Sequence, residues 1–216
     1  MTPRPHGLAA WIRLLAGLWL FAAGIVLALR SGLGVSPWDV FHDGIRQVTP
    51  LSFGVATILL GVLLVGVGAL LGVRPGPGTL ANMVLIGVFV DLLLAAGVTG
   101  DLEGQDLAIR LSALVAGVLL VALGTALYIG AGLGSGPRDG LMLAISARTG
   151  WRVGLVRTFI EAAVLAVGVL LGGSAGLGTV LFAFGIGPAV EAAFRLLRVE
   201  VVRKPKESPA EACATC

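Results

Sequence analysis

An all-α membrane protein is the fold class that this sequence predicts, and three observations carry the prediction. The first is composition. Of 216 residues, 57% are hydrophobic and 12% charged, with a mean hydropathy of +1.00. A soluble domain carries about 25% charge, and the 15 basic and 12 acidic side chains here are too few to coat a globule of this size. A soluble monomer is therefore excluded. The second observation is six apolar stretches, at 11–29, 53–73, 79–98, 111–129, 153–173 and 177–197, each close to the ~20 residues that cross hydrocarbon as a helix. The third is that the chain resembles itself at a spacing of 100 residues.

Taken in order, residues 1–10 read as a cytoplasmic arm. Arg4 and His6 precede the first stretch as in a signal peptide, but its apolar core is too long for one. Residues 11–98 and 111–197 form two three-span units joined by an acidic outer linker, 99–110. The polar tail 198–216 is expected to be disordered. It ends in Cys213-Ala-Thr-Cys216, a single pair that cannot complete a tetrahedral metal site. With six spans and the N-terminus inside, only Arg30, Arg46 and Arg110 of the 15 Lys and Arg fall outside, leaving 12 inside. That bias places both termini in the cytoplasm.

Aligning 10–94 with 110–194 without gaps gives 26 identities in 85 positions, ten of them glycine on glycine. Composition alone would give about nine or ten identities. Glycine, 33 residues in all, is thus positioned as well as abundant. Because each unit has three spans, the second must enter the membrane from the opposite face. The expectation is two inverted three-helix repeats related by a pseudo-two-fold axis in the membrane plane.

After the first span of each repeat stands Gly-Leu-Gly-x-x-Pro-x-Asp, at 32–39 and 132–139. The glycines end the helix. Ser36 suits an N-cap, Pro37 position N1 and Asp39 position N3. A short interfacial or re-entrant helix is expected over about 38–48, with a twin over about 138–148, and their N-termini could present free N–H groups to a solute. Capping explains Asp39 and Asp139 equally well. The Gly68-x-x-x-Gly72 and Gly168-x-x-x-Gly172 motifs suit close helix packing. Thr79 and Thr179 suit caps on the helices that follow the Gly76 and Gly176 turns.

Ionisable residues inside the bilayer point to function, because burying them is costly. Glu161 lies near the middle of the fifth stretch, with Arg157 one turn earlier and able to pair with it. The first repeat has Thr57 and Gly61 there. Asp91 and Glu191 are equivalent positions about two turns inside opposite faces, suited to paired gates or paired structural hydrogen bonds. Asn82 completes the candidate solute- or ion-binding set of Glu161, Arg157, Asp91, Glu191, Asp39, Asp139 and Asn82.

The segments Gly32-Leu-Gly-Val-Ser-Pro-Trp-Asp39 and Gly132-Leu-Gly-Ser-Gly-Pro-Arg-Asp-Gly140 resemble those of the YczE/YitT-like family of bacterial multi-pass membrane proteins. Arg157-Thr158-x-x-Glu161 and Gly178-Thr179-x-x-x-Ala183 extend the resemblance over about 10–197. It implies an integral membrane protein and carries over no substrate or catalytic residue. Two Lys against 13 Arg suggest a high-GC bacterium.

Inverted repeats, broken segments and charge on the fifth stretch point to a small-solute transporter or exporter in the bacterial plasma membrane. The alternative is a non-transporting accessory protein that acts through helix–helix contacts with a membrane partner. There is no nucleotide loop and no His- or Cys-rich cluster, so an enzyme, a cofactor, a metal and a nucleic-acid partner are not expected. The expected partners are the lipid bilayer, an unidentified small solute, and a second copy or another membrane protein.

Overall fold

In hydrocarbon a backbone must satisfy its own hydrogen bonds, and each apolar stretch does so as a helix. The computed structural model describes residues 7–100, 102–134, 136–151 and 153–198, and shows eight helices and no strand among them. They are α1 (Leu8–Ser31), α2 (Pro37–Val48), α3 (Phe53–Leu70), α4 (Pro77–Ala95), α5 (Leu107–Gly130), α6 (Pro137–Thr149), α7 (Val153–Leu170) and α8 (Leu177–Leu196). Five of these, α1, α3, α4, α5 and α8, are long and apolar enough to cross a membrane. α7 has 18 residues and carries Arg157 and Glu161. The arm before Gly7, Asp101 of the linker, and the tail past Arg198 with its two cysteines lie outside the described residues.

Local chemistry sets the helix ends. α1 stops at Gly32, whose φ of 61° is the left-handed conformation that glycine adopts without penalty. Its orphan carbonyls are met from α5, where the Arg110 guanidinium donates to Ser31 O at 2.8 Å and to Gly32 O at 3.1 Å. α2 begins as the sequence predicts, with Ser36 as N-cap accepting from the Asp39 N–H at 3.4 Å and Pro37 at N1. The expected threonine caps differ. α4 and α8 are N-capped by Gly76 and Gly176, which puts Thr79 and Thr179 at N3. From there Thr179 Oγ1 reaches back to accept from the Gly176 N–H at 3.2 Å.

The core lies where α1, α4, α5 and α8 meet, around Leu14, Leu18, Ile25, Val90, Leu114 and Phe182. α1 and α5 run antiparallel through the most extensive interface of the molecule. Glycine makes that approach possible. A Cβ on Gly17 would lie 2.8 Å from Gly124 O, and one on Gly117 2.8 Å from Gly24 O. The close-packing glycines are therefore Gly17, Gly24, Gly117 and Gly124, seven residues apart on each helix. The expected Gly-x-x-x-Gly motifs contribute less. A Cβ on Gly68 or Gly72 would meet nothing within 4 Å, whereas one on Gly168 would lie 2.7 Å from Phe41 N of α2. In the first copy of the motif the neighbouring helix does not come close enough to need a glycine.

Contacts recur at a spacing of 100 residues with the partners exchanged. Gly17–Gly124 is matched by Gly24–Gly117. Gly78 N donates to Leu133 O at 2.8 Å, and Gly178 N to Leu33 O at 2.7 Å. α1 packs on α4 as α5 packs on α8, and α2 on α7 as α6 on α3. The outer flanks present Leu59, Leu63, Leu119 and Phe184, each more than half exposed, as an apolar surface suited to lipid.

Candidate functional site

The two short helices carry the polar residues inward. α2 is buried over most of Pro37–Gly44, and Asp39, His42 and Asp43 are all almost fully buried. Burying an unpaired charge is costly, and Asp43 is fully partnered. Its Oδ1 accepts from Arg46 at 2.7 Å, and its Oδ2 from Ser174 N at 2.9 Å and Ser174 Oγ at 2.6 Å. These bonds tie α2 to the hairpin between α7 and α8.

Asp39 is only partly satisfied. Its Oδ2 accepts from the Ser36 hydroxyl. Its Oδ1 lies 3.6 Å from His42 Nδ1 and 3.9 Å from Arg138 Nη2, both beyond a normal hydrogen bond. Oδ1 and Nδ1 are each buried with no hydrogen-bond partner among the described residues. Arg138 reaches across from α6 and sets its guanidinium 5.0 Å from the centroid of the Trp38 ring, a cation–π distance. The first turns of α2 and α6 therefore face each other.

Between them lies a cavity of about 690 Å³, a size suited to a small organic molecule. Its polar lining is asymmetric. On the α2 side stand Ser36, Asp39 and His42, with Thr57 nearby on α3. On the α6 side stand Asn82 and Tyr128, both buried and both within 4 Å of where a Cβ on Gly136 would lie. Gly136 is the N-cap of α6 and offers no side chain, so the first turn of α6 lacks the cap that α2 has. Arg157 and Glu161 of α7 close one flank as an ion pair, Nε to Oε1 2.9 Å.

The cavity brings together six of the seven residues singled out from sequence: Asp39, Asp139, Asn82, Arg157, Glu161 and Glu191. The pairing expected of Arg157 and Glu161 forms. Asp91 is elsewhere. It accepts from Ser52 Oγ at 2.5 Å and from Gly54 N at 2.8 Å, binding the first turn of α3 to the end of α4. Glu191, its equivalent, accepts from Arg195 at 2.6 Å on an exposed stretch of α8. Sequence reasoning passed over His42, Arg138 and Tyr128. Tyr128 had a signal, as the single tyrosine of the chain on an otherwise apolar span. Arg138 had one too, since it stands where the first repeat has Trp38. Among the described residues, no group of three or more His, Cys, Asp or Glu is placed to hold a metal ion.

Long apolar helices, lipid-suited flanks and a polar interior define a membrane protein of several transmembrane helices. The chain belongs to the family described as "Family of unknown function (DUF6198)", whose model matches residues 8–195. It is 39% identical over 180 residues to a Bacillus subtilis protein titled "Uncharacterized membrane protein YczE", covering 82% of this chain and 81% of that one. It is also 39% identical over 180 residues to a Haemophilus influenzae protein, covering 82% and 80%. With the Bacillus subtilis protein YyaS it shares 30% identity over 167 residues, covering 76% and 82%. The resemblance read from the paired Gly-Leu-Gly segments is thereby borne out as YczE-like. No solved structure matches.

Proposed function

We propose that the chain is a carrier of a small polar solute in the bacterial plasma membrane, built from six spans as two inverted three-helix repeats with both termini in the cytoplasm. The exchange of contact partners at a spacing of 100 residues supports the repeats. α7 is then the sixth span, and the distribution of Lys and Arg sets the orientation. Bacterial relatives support the location.

The observation that carries the reading is the cavity, which places charged and polar side chains of both repeats between two facing helix N-termini inside an apolar bundle. Buried ionisable groups at such a place are the mark of a solute or ion site. The uncapped first turn of α6, with Arg138 and Arg157 nearby, suits an anionic group of the solute. Asp39 and Glu161 suit a cationic group or a proton. We assign the cavity to carriage because its charged lining residues suit the binding of a charged solute.

The test is a panel of small polar solutes on the purified protein, scored by thermal stabilisation and followed by flux in proteoliposomes for each solute that stabilises. Glu161→Gln is expected to lower flux about tenfold or more, equivalent to ~1.4 kcal/mol. Unchanged flux in that variant removes Glu161 from the site. A panel without any stabilising solute, together with a stoichiometric membrane partner that co-purifies, supports the accessory reading instead.

A further inference from the structure

The correspondence between the two halves breaks at one interface. α3 packs along α4, whereas their counterparts α7 and α8 hardly touch among the described residues, although a short hairpin joins them. Glycine reports the same difference. A Cβ on Gly87 of α4 would collide with the Gly54 carbonyl of α3, while one on Gly187 of α8 would meet nothing within 4 Å. Gly61 of α3 is pressed by Met83 of α4, while their counterparts Glu161 and Ala183 both line the cavity. The hairpin of α7 and α8 sits at the face where α2 is anchored, through Asp43 and Ser174. The two helices therefore diverge toward the face on which α1 begins, and the cavity reaches that side along α8 as far as Glu191 and Phe194. α8 also contains Pro188, a helix-interior proline that removes a backbone hydrogen bond and permits a bend.

The carboxylates follow the same division. Asp91 holds the closed pair, accepting from the backbone N–H of Gly54 and the hydroxyl of Ser52. Glu191, at the same place in the open pair, is turned to Arg195 of its own helix and its side chain is 66% exposed. In sequence, Gly154 stands where Gly54 does and Arg152 where Ser52 does.

Resting on the carrier reading, we propose that the α3–α4 and α7–α8 pairs are the two gates of the cavity, with α3–α4 shut and α7–α8 open in this structure, and that Asp91 and Glu191 are their latches. In the opposite state α7 closes on α8, Glu191 leaves Arg195 for the first turn of α7, and Asp91 releases α3. A carboxylate at a helix N-terminus is favourable, so each latch stabilises its own closed gate and the two states compete. Solute then enters from the face on which α1 begins and leaves between α3 and α4.

The experiment measures spin-label distances in the full-length protein in lipid nanodiscs, with Cys213 and Cys216 replaced by serine. One label pair is Val55→Cys with Leu92→Cys. The other is its 100-residue counterpart, Leu155→Cys with Ala192→Cys, and all four positions are exposed. The expected result is a short distance for the first pair and a longer one for the second. Asp91→Asn is expected to shift the ratio of states about two- to fivefold, the size of one lost charge at a helix N-terminus, lengthening the first distance and shortening the second. Glu191→Gln, at an exposed position, deepens the bias toward an open α7–α8 pair. Equal distances in the two pairs overturn the proposal. So do distributions that Asp91→Asn leaves unchanged or moves in the same direction. No solute is needed, so unchanged distances refute the gates while leaving a measured flux intact, and a negative solute panel refutes the carrier while leaving the distances intact.

Discussion

Asp39 shows how capping and site chemistry share one side chain. The spacing Ser36-x-x-Asp39 fixes the start of α2, and the same geometry leaves one carboxylate oxygen buried without a hydrogen-bond partner, 3.6 Å from His42 Nδ1. Replacing Ser36 by alanine removes the acceptor for the Asp39 N–H and the hydroxyl that donates to Oδ2. The expected cost is about 0.5–2 kcal/mol of stability, checked by thermal unfolding in detergent against wild type. Asp39 and the Arg157–Glu161 pair were legible in the sequence because their signals are local: a cap has a fixed spacing, and an ion pair on a helix has i,i+4 spacing. His42 was not, and for Arg138 and Tyr128 the sequence marked the residue without its orientation, because inward orientation depends on how α2 and α6 pack on α3 and α7, which no local spacing encodes. Asp91 stood out in the sequence as an acid within an apolar span, but its partners lie 37 and 39 residues away in sequence.

Among the helices, α1 and α5 form the rigid seam on which the rest is hung, and their contact depends on glycines that admit no side chain. Gly24→Leu drives a side chain into the backbone at Val121 and Gly117. It is expected to destabilise the protein by about 3 kcal/mol or more, beyond the usual overpacking cost because the obstacle is main chain. Gly68→Ala, in the motif that looked like a packing face, is expected to be neutral or to stabilise by about 0.5–1 kcal/mol through helix propensity, since a Cβ there meets nothing within 4 Å. Denaturation midpoints of the two variants, measured side by side, check the contrast. Both glycines recur at the 100-residue spacing, but only Gly68 stands in a motif that the sequence marks for packing. Which of them faces a partner backbone is a property of helix rotation, and small-residue spacing restricts that rotation without setting it.

For the molecule as a whole, the all-helical class and the membrane environment follow from composition and apolar run length, which act on every residue at once. The repeat was legible because ten glycine pairs keep one spacing. The unequal packing of its two halves was not, since the same aligned positions serve a tight α3–α4 pair and an open α7–α8 pair. The carrier proposal and its two gates rest on an inverted arrangement of the repeats, and cysteine labelling in intact cells tests it. Gln47→Cys and Ala147→Cys are equivalent, exposed positions near the ends of α2 and α6. In a background with Cys213 and Cys216 replaced by serine, a membrane-impermeant maleimide is predicted to modify Gln47→Cys from outside, and to modify Ala147→Cys only after the membrane is permeabilised. Labelling of both positions from the same face would contradict the inverted repeat, and with it the carrier built upon it.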